Sequence, residues 1–292
     1  MMAGPSNDKC SSSVVCSEDP PPLSITLKKT RDLPRKTTDW SIDHLPVDIL
    51  LLTVEDCGFL ASYYYLRNPF KSYEKSIGFV YFGKMGEDED EGGSVKVAIV
   101  RCPKESSDPG GSQTAAKNAV TLLKPKATFL VGFCYSLNLN KAQLGDVVIS
   151  SKLTTDFHKT PVSRDVGNLV RSAADGWEAP LENPEAREVK VHCDGEIFSC
   201  SNLIDTEQQC QSHPGAIAVD MEGKGLFAVA HDMKVEWIVV KGVCGLVQGV
   251  ASTNNSWKTF ACVMAASVVS NMLSNSFVFK DWPHYGGTCT LL

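Results

Sequence analysis

The 292-residue chain contains no run of about 18 consecutive apolar residues, the length a helix needs to cross a bilayer. No apolar leader opens it either, so the sequence points to an intracellular, cytoplasmic protein. A basic surplus is missing: 28 Lys and Arg stand against 34 Asp and Glu, for a formal net charge of −6. That balance argues against binding along a nucleic-acid backbone, but not against a small anion held by a few local donors. There is no CxxC pair and no Cys/His cluster at zinc spacing, so neither a metal nor another cofactor is expected. The 11 cysteines are scattered, and an odd count without a secretion signal reads as reduced thiols. Cys102, Cys134, Cys244 and Cys262 lie in or beside apolar runs, where cysteine acts as a small hydrophobe.

What is present is the composition of an ordinary globular protein, 43% hydrophobic and 21% charged. Residues 1–46 are rich in Ser, Pro and charge and carry no periodicity, so they are expected to form a disordered tail. Order is expected over residues 47–277, with 278–292 as a flexible C-terminal tail. Val47 to Thr53 is an apolar run suited to a strand buried on both faces, and Phe59 to Leu66 suits a helix. Gly78–Phe82 and Val95–Val100 read as paired strands joined by an acidic loop, Glu87–Glu91, to which no function is given. Ser112–Leu123 reads as a helix stopped by Lys124-Pro125, followed by strands at Ala127–Val131 and Val147–Ser150. A long irregular excursion occupies residues 159–189. Strands at Val189–His192, Ala216–Val219 and Trp237–Val243 alternate with helices at Gly223–His231 and Trp257–Leu273. The pattern implies an α/β fold, three αβα layers around a central mixed, mainly parallel sheet. Ligands of such sheets sit beyond the carboxyl ends of the strands.

Four of those ends carry suggestive residues: Gly132 within Val131-Gly132-Phe133, Phe198 after Gly195-Glu196-Ile197, Asp220-Met221-Glu222-Gly223 at a strand-to-helix junction, and Lys241-Gly242-Val243-Cys244-Gly245. Singly, each has a plain structural explanation: a turn glycine, a core aromatic, acids at a helix start. Together, in this order, they resemble the nucleoside phosphorylase and methylthioadenosine nucleosidase superfamily over roughly 230 residues. The segment Ala216 to Gly223 is similar to that family's ribose-binding signature. The resemblance implies that Met221 packs on the ribose and Glu222 accepts from both ribose hydroxyls, chemistry that suits a carboxylate facing a cis-diol. It also implies that Phe198 stacks on a purine and that Gly132 lets backbone approach the sugar.

The chain departs from that family in three places. Where phosphorylases carry an Arg before the glycine and a Ser after it, this chain has Leu130 and Phe133, which disfavours phosphate as the nucleophile. Where nucleosidases orient water with a Glu after the first strand, Glu55 and Asp56 both stand near the place, and an ungapped register sets Cys57 opposite it. Where the family has an Asp that assists the leaving purine, this chain has Gly245, and such loss typically lowers rates by about 10²–10⁴. Lys241 and Gln248 are the neighbouring side chains able to supply a hydrogen bond instead.

Two weaker signals remain. Lys152, His158 and Arg164 are candidate 5′-phosphate contacts, with a solvated surface as the alternative. Cys289-Thr290-Leu291-Leu292 fits a CaaX box, so prenylation at Cys289 and membrane attachment compete with a chance cysteine in a tail. Two functions stand open. One is a purine nucleosidase with Glu222, and Glu55 or Asp56, as its acting carboxylates. The other is an inactive purine-binding module or scaffold, and a phosphorylase comes third. The resemblance further implies a homo-oligomer acting on a small purine nucleoside or nucleotide.

Overall fold

The computed structural model describes residues 19–39, 41–86, 93–103, 111–155, 158–200, 203, 213–248 and 253–287. The acidic loop at 87–91 and the CaaX box with Cys289 lie outside the described residues. Among the described residues, no helix is long and apolar enough to cross a membrane.

The first central strand, β1 (Ile49–Thr53), is buried at every position. Its Ile-Leu-Leu-Leu-Thr sequence suits this because both faces are covered and no alternation is called for. Helix α1 (Asp56–Tyr64) follows, then β2 (Arg67–Glu74), β3 (Gly78–Met85) and β4 (Val95–Arg101). Helix α2 (Ser112–Leu123) ends on Lys124, which takes a left-handed conformation and returns its N–H to Val120. Next come β5 (Ala127–Ser136), β6 (Val147–Thr154), the short β7 (Lys159–Pro161) and α3 (Arg164–Val170). The chain then forms β8 (Val191–Ser199), β9 (Ala218–Asp220), α4 (Gly223–Met233), β10 (Glu236–Leu246) and α5 (Asn255–Met272).

All ten strands belong to one sheet in the order β10-β6-β8-β9-β5-β1-β4-β3-β2, with β7 on the edge of β6 and a further pairing of β10 with β5. That last pairing closes β10, β6, β8, β9 and β5 into a ring, while β1, β4, β3 and β2 continue as an open wing. The sheet is mixed as anticipated, but less parallel than the alternation of strands and helices implies. Parallel pairs link β1 to β4 and β5, β5 to β10, and β8 to β6 and β9. The outer wing and the ring's other joints are antiparallel. Strand β2 has no counterpart in the sequence reading, because its exposed and half-buried positions do not alternate. Helices α1 and α5 pack together over β5, and α2 and α4 form a second pair.

Helix α5 is buried around most of its circumference, which is why its sequence reads as apolar without a polar face. Asn254 caps it by accepting from the Ser256 N–H at 3.0 Å. Its closeness to β10 depends on Gly242, where an added Cβ would lie 2.0 Å from the Ala261 carbonyl oxygen.

Parts of both expected tails lie on the domain. From Asp19 the N-terminal segment is laid on the domain: Leu23, Ile25 and Leu27 alternate along it and pack against the core. Ser24 N–H donates to Pro180 O at 3.0 Å, and Thr38 N–H donates to Lys71 O at 2.7 Å. At the other end Phe279, Trp282 and Tyr285 pack inward, and Tyr285 N–H reaches Pro125 O at 2.9 Å. A few apolar side chains at two-residue spacing are enough to anchor an otherwise polar segment, and overall composition hides them.

Gly242→Ala is expected to destabilise the fold by at least about 1–3 kcal/mol, since backbone on both sides blocks relief of the overlap. Urea denaturation of the variant beside the parent chain measures this as a lowered midpoint at unchanged slope.

Candidate active site

The site grows from three chain segments that the ring of strands brings to one place. Strands β5 and β10 run parallel with Gly132 opposite Lys241, and β9 ends at Asp220 beside β5. The Lys241 ammonium is 2% exposed and lies 2.7 Å from Glu222 Oε2 and 3.4 Å from Asp220 Oδ2. A Cβ on Gly132 would stand 3.3 Å from Lys241 Nζ, tighter than most Cβ contacts. Gly132 therefore leaves room for the lysine, a reason that the sequence reading of it as a sugar-approach glycine did not contain.

Asp220 does two things at once. Both its carboxylate oxygens accept from the Gly223 N–H, at 3.2 and 3.0 Å, which satisfies the start of α4. Its Oδ2 also faces Lys241. Burial would depress the lysine's pKa, but the carboxylates of Glu222 and Asp220 outweigh it and hold the ammonium charged. Burial pushes the Glu222 carboxyl upward, and the Asp220 and Glu55 charges add to the rise while Lys241 opposes it. Two carboxyl groups share one ammonium, so with both ionised the cluster carries one excess negative charge. Its walls are dry: the buried Cys134 and Cys102 thiols both have raised pKa values, the latter pushed up to about 12 by burial and by Glu222. A field of that sign in such surroundings favours a developing cation nearby.

Glu55 and Asp56 part company. Glu55 is half-buried at the head of α1, and its charge reaches Glu222 and Tyr135. Asp56 is exposed and turned to Arg101, whose Nη1 donates to it at 2.6 Å. Cys57, the residue set opposite the family's glutamate by an ungapped register, faces Cys262 on α5 instead. Met221 is half-buried beside Glu222.

Phe198 is fully buried, and its ring stacks on His213 with centroids 4.8 Å apart. His213 was not legible as a partner because it lies 15 residues along in a segment without periodicity. At Gly245, an added Cβ would lie 2.6 Å from Thr253 Oγ1 and 3.4 Å from Tyr135 Cδ1. The Thr253 hydroxyl thus fills the space into which a larger residue at 245 would grow. Thr253 stands eight residues downstream with no motif around it, and only packing reveals it. Gln248 is exposed beyond the end of β10.

Of the three candidate phosphate contacts, Arg164 stands apart. Lys152 is exposed and pairs in register with Glu196, whose carboxylate is held by Lys159 at 2.6 Å and Thr154 at 2.8 Å. His158 is exposed at the turn into β7. Arg164 starts α3, and the preceding residue, Ser163, donates to Glu236 Oε2 at 2.5 Å. Glu236 opens β10, five residues before Lys241, so Arg164 belongs to the other end of that strand. Leu130 is core, 3% exposed, and Phe133 lies under the Lys258 ammonium, 5.3 Å from its ring centroid. Among the described residues, no group of three His, Cys, Asp or Glu is arranged to hold a metal ion.

Lys241→Met is expected to destabilise the protein by about 3–5 kcal/mol, because it strands two buried carboxylates. Chemical denaturation measures it. A midpoint unchanged from the parent would show that the lysine does not hold the cluster together.

Known proteins match this architecture. A family model described as the phosphorylase superfamily matches residues 49–274. A curated relative, the death domain-containing ATP nucleosidase of Amphimedon queenslandica, is 29% identical over 230 residues, which cover 67% of this chain and 42% of that protein. The chain thus corresponds to less than half of the relative's length. Among solved structures, the 5′-methylthioadenosine/S-adenosylhomocysteine nucleosidase of Neisseria meningitidis, bound to methylthio-immucillin-A, superposes with a TM-score of 0.63 at 12% identity. It covers 78% of this chain and 98% of its own. Futalosine hydrolase of Helicobacter pylori gives a TM-score of 0.59 at 14% identity, over 78% and 98% of the two chains. The family match spans the whole of the strand ring and the charge cluster it builds: the chain belongs to the phosphorylase superfamily.

Proposed function

We propose that the chain is an N-glycosidase that hydrolyses the bond between a purine and ribose in a nucleoside or nucleotide. The observation that carries this reading is the buried Glu222–Lys241–Asp220 cluster, with its excess negative charge at the ribose-binding signature. Cleavage of an N-glycosidic bond leaves C1′ cation-like, and a fixed carboxylate pair beneath the sugar lowers that barrier. Glu222 accepts from the ribose diol, Lys241 holds it through the 2.7 Å ion pair, and Met221 covers the sugar's apolar face. Glu55 rather than Asp56 takes the water's proton, since Glu55 is half-buried with its charge reaching Glu222 while Asp56 is exposed.

Water is the nucleophile in this reading because the positions of the phosphate-binding pair hold a core leucine and Phe133. The curated relative is an ATP nucleosidase and the superposed bacterial proteins include nucleosidases of adenine-containing nucleosides, which supports an adenine nucleotide or nucleoside as substrate. Lys152 and His158, both exposed, are the side chains left to meet a 5′-phosphate.

A second reading, a purine-binding module without turnover, is favoured by Gly245 and by the Thr253 hydroxyl that fills the space beside it. The two differ in one measurement. Purified chain incubated with adenosine, ATP and 5′-methylthioadenosine, with and without phosphate, is expected to release adenine independently of phosphate. Glu222→Ala is expected to lose about 10²-fold or more of that rate. Saturable purine binding without release would overturn the hydrolase and leave the binder. Replacing both residues at the gap, Gly245→Asp with Thr253→Ala, makes room for an acid at 245. It is expected to raise base release by about 10²–10⁴-fold, read by the same chromatography.

A further inference from the structure

Two thiols beside the site take no part in the reaction proposed above. Cys57 is the second residue of α1 and half-buried, and Cys262 is fully buried on α5. The Cys262 Sγ donates to the Cys57 Sγ across 3.4 Å. A disulfide is about 2.05 Å long, so closing the gap requires a movement of about 1.4 Å between two helices already packed together.

The pair is asymmetric in the way that disulfide chemistry needs. The hydrogen bond from Cys262 lowers the Cys57 pKa and outweighs the opposing effect of burial. The amino end of α1, where Cys57 sits, favours a thiolate as well. Burial pushes the Cys262 pKa well up, so it stays a thiol. Cys57 is thus the attacking sulfur, partly open to solvent, and Cys262 the resolving one. Cys244 also lies within electrostatic reach of Cys57, but its thiol is engaged with Tyr135.

We propose that Cys57 and Cys262 form a reversible, peroxide-driven disulfide that ties the first turn of α1 to α5 and closes down the purine site. The Cys57 thiolate attacks one oxygen of a hydroperoxide; the O–O bond breaks, and Cys57 becomes a sulfenic acid as hydroxide leaves. The Cys262 sulfur then attacks the sulfenic sulfur, and its proton departs with the hydroxyl as water. Overall, two thiols and one hydrogen peroxide give one disulfide and two waters. A dithiol reductant reverses the bond by thiol–disulfide exchange.

The first turn of α1 has little slack to absorb this. A Cβ on Gly58 would already lie 3.3 Å from Val131 O and 3.5 Å from the Gly132 Cα, so this turn rests directly on the strand that faces Lys241. Glu55 is two residues from Cys57, and its carbonyl accepts from Phe59 N–H at 3.1 Å in the same turn. Drawing Cys57 toward α5 therefore moves Glu55 relative to Glu222. The consequence for activity rests on the hydrolase reading, whereas the bond itself does not.

The experiment treats the full chain with hydrogen peroxide, alkylates the remaining thiols, and maps peptides by mass spectrometry alongside base release. A linked Cys57–Cys262 peptide, lost on dithiothreitol treatment, is expected. Base release should fall at least tenfold with the bond and return on its reduction. Cys262→Ser, which keeps a donor to Cys57, should keep base release, form no link, and leave Cys57 as a sulfenic acid trappable by a cyclic diketone. Cys262→Ala, which lacks that donor, should also form no link and should slow the trapping of Cys57. Cys57 still alkylatable after peroxide, or linked to Cys244, overturns the proposal. A linked peptide with unchanged base release overturns the switch. If the parent chain releases no base even when reduced, the hydrolase reading fails separately. The linked peptide still decides the bond, and purine binding replaces turnover as the readout of closure.

Discussion

A lysine ammonium removed from water is the constraint from which the site follows. Desolvating such a charge is penalised by several kcal/mol, and it persists only where geometry brings counter-charges to it. Lys241 has two, Glu222 at 2.7 Å and Asp220 at 3.4 Å. Asp220 is anchored by the Gly223 N–H, and Glu222 stands at the start of α4. Because the lysine fills the space over β5, a side chain at Gly132 on that strand would crowd its ammonium. The chemistry proposed for the site, an anionic field under a sugar, is what remains after the lysine neutralises one of the two carboxylates.

Closure of the strand ring makes that arrangement rigid. An open α/β sheet would leave β10 with a free edge, whereas here β10 pairs with β5 on one side and β6 on the other. The register that sets Gly132 opposite Lys241 is therefore held from both flanks. Helix α5 then seals the outside, pressed close because Gly242 has no side chain. The same closeness sets Cys262 against Cys57, so packing that supports the charge cluster also poises the thiol pair.

Much of the candidate site was legible as a row of strand ends. Gly132, Phe198, Met221, Glu222 and Lys241 stand out because short polar or glycine-bearing segments interrupt apolar runs, and the structure sets Gly132, Glu222 and Lys241 together. Residues whose role depends on distant partners were not legible. Glu55 and Asp56 are adjacent acids with equal claim in the sequence, and their different burial and the reach of the Glu55 charge to Glu222 separate them. Arg164 looks like a phosphate ligand by charge alone, yet the Ser163–Glu236 contact sets it by the first residue of β10.

The sequence by itself determined the central strands, the order of helices between them, and the family signature, because burial on both faces writes itself as continuous apolar runs. It also determined that position 245 carries no side-chain acid, since glycine has no side chain in any fold. Tertiary structure alone decided that five strands close into a ring, that residues 19–39 and 41–46 lie on the domain, and that Lys241 is shared between two carboxylates. Those features arise from contacts between segments far apart in the chain. Local pattern does not encode such contacts, because each partner looks ordinary until the other is in place.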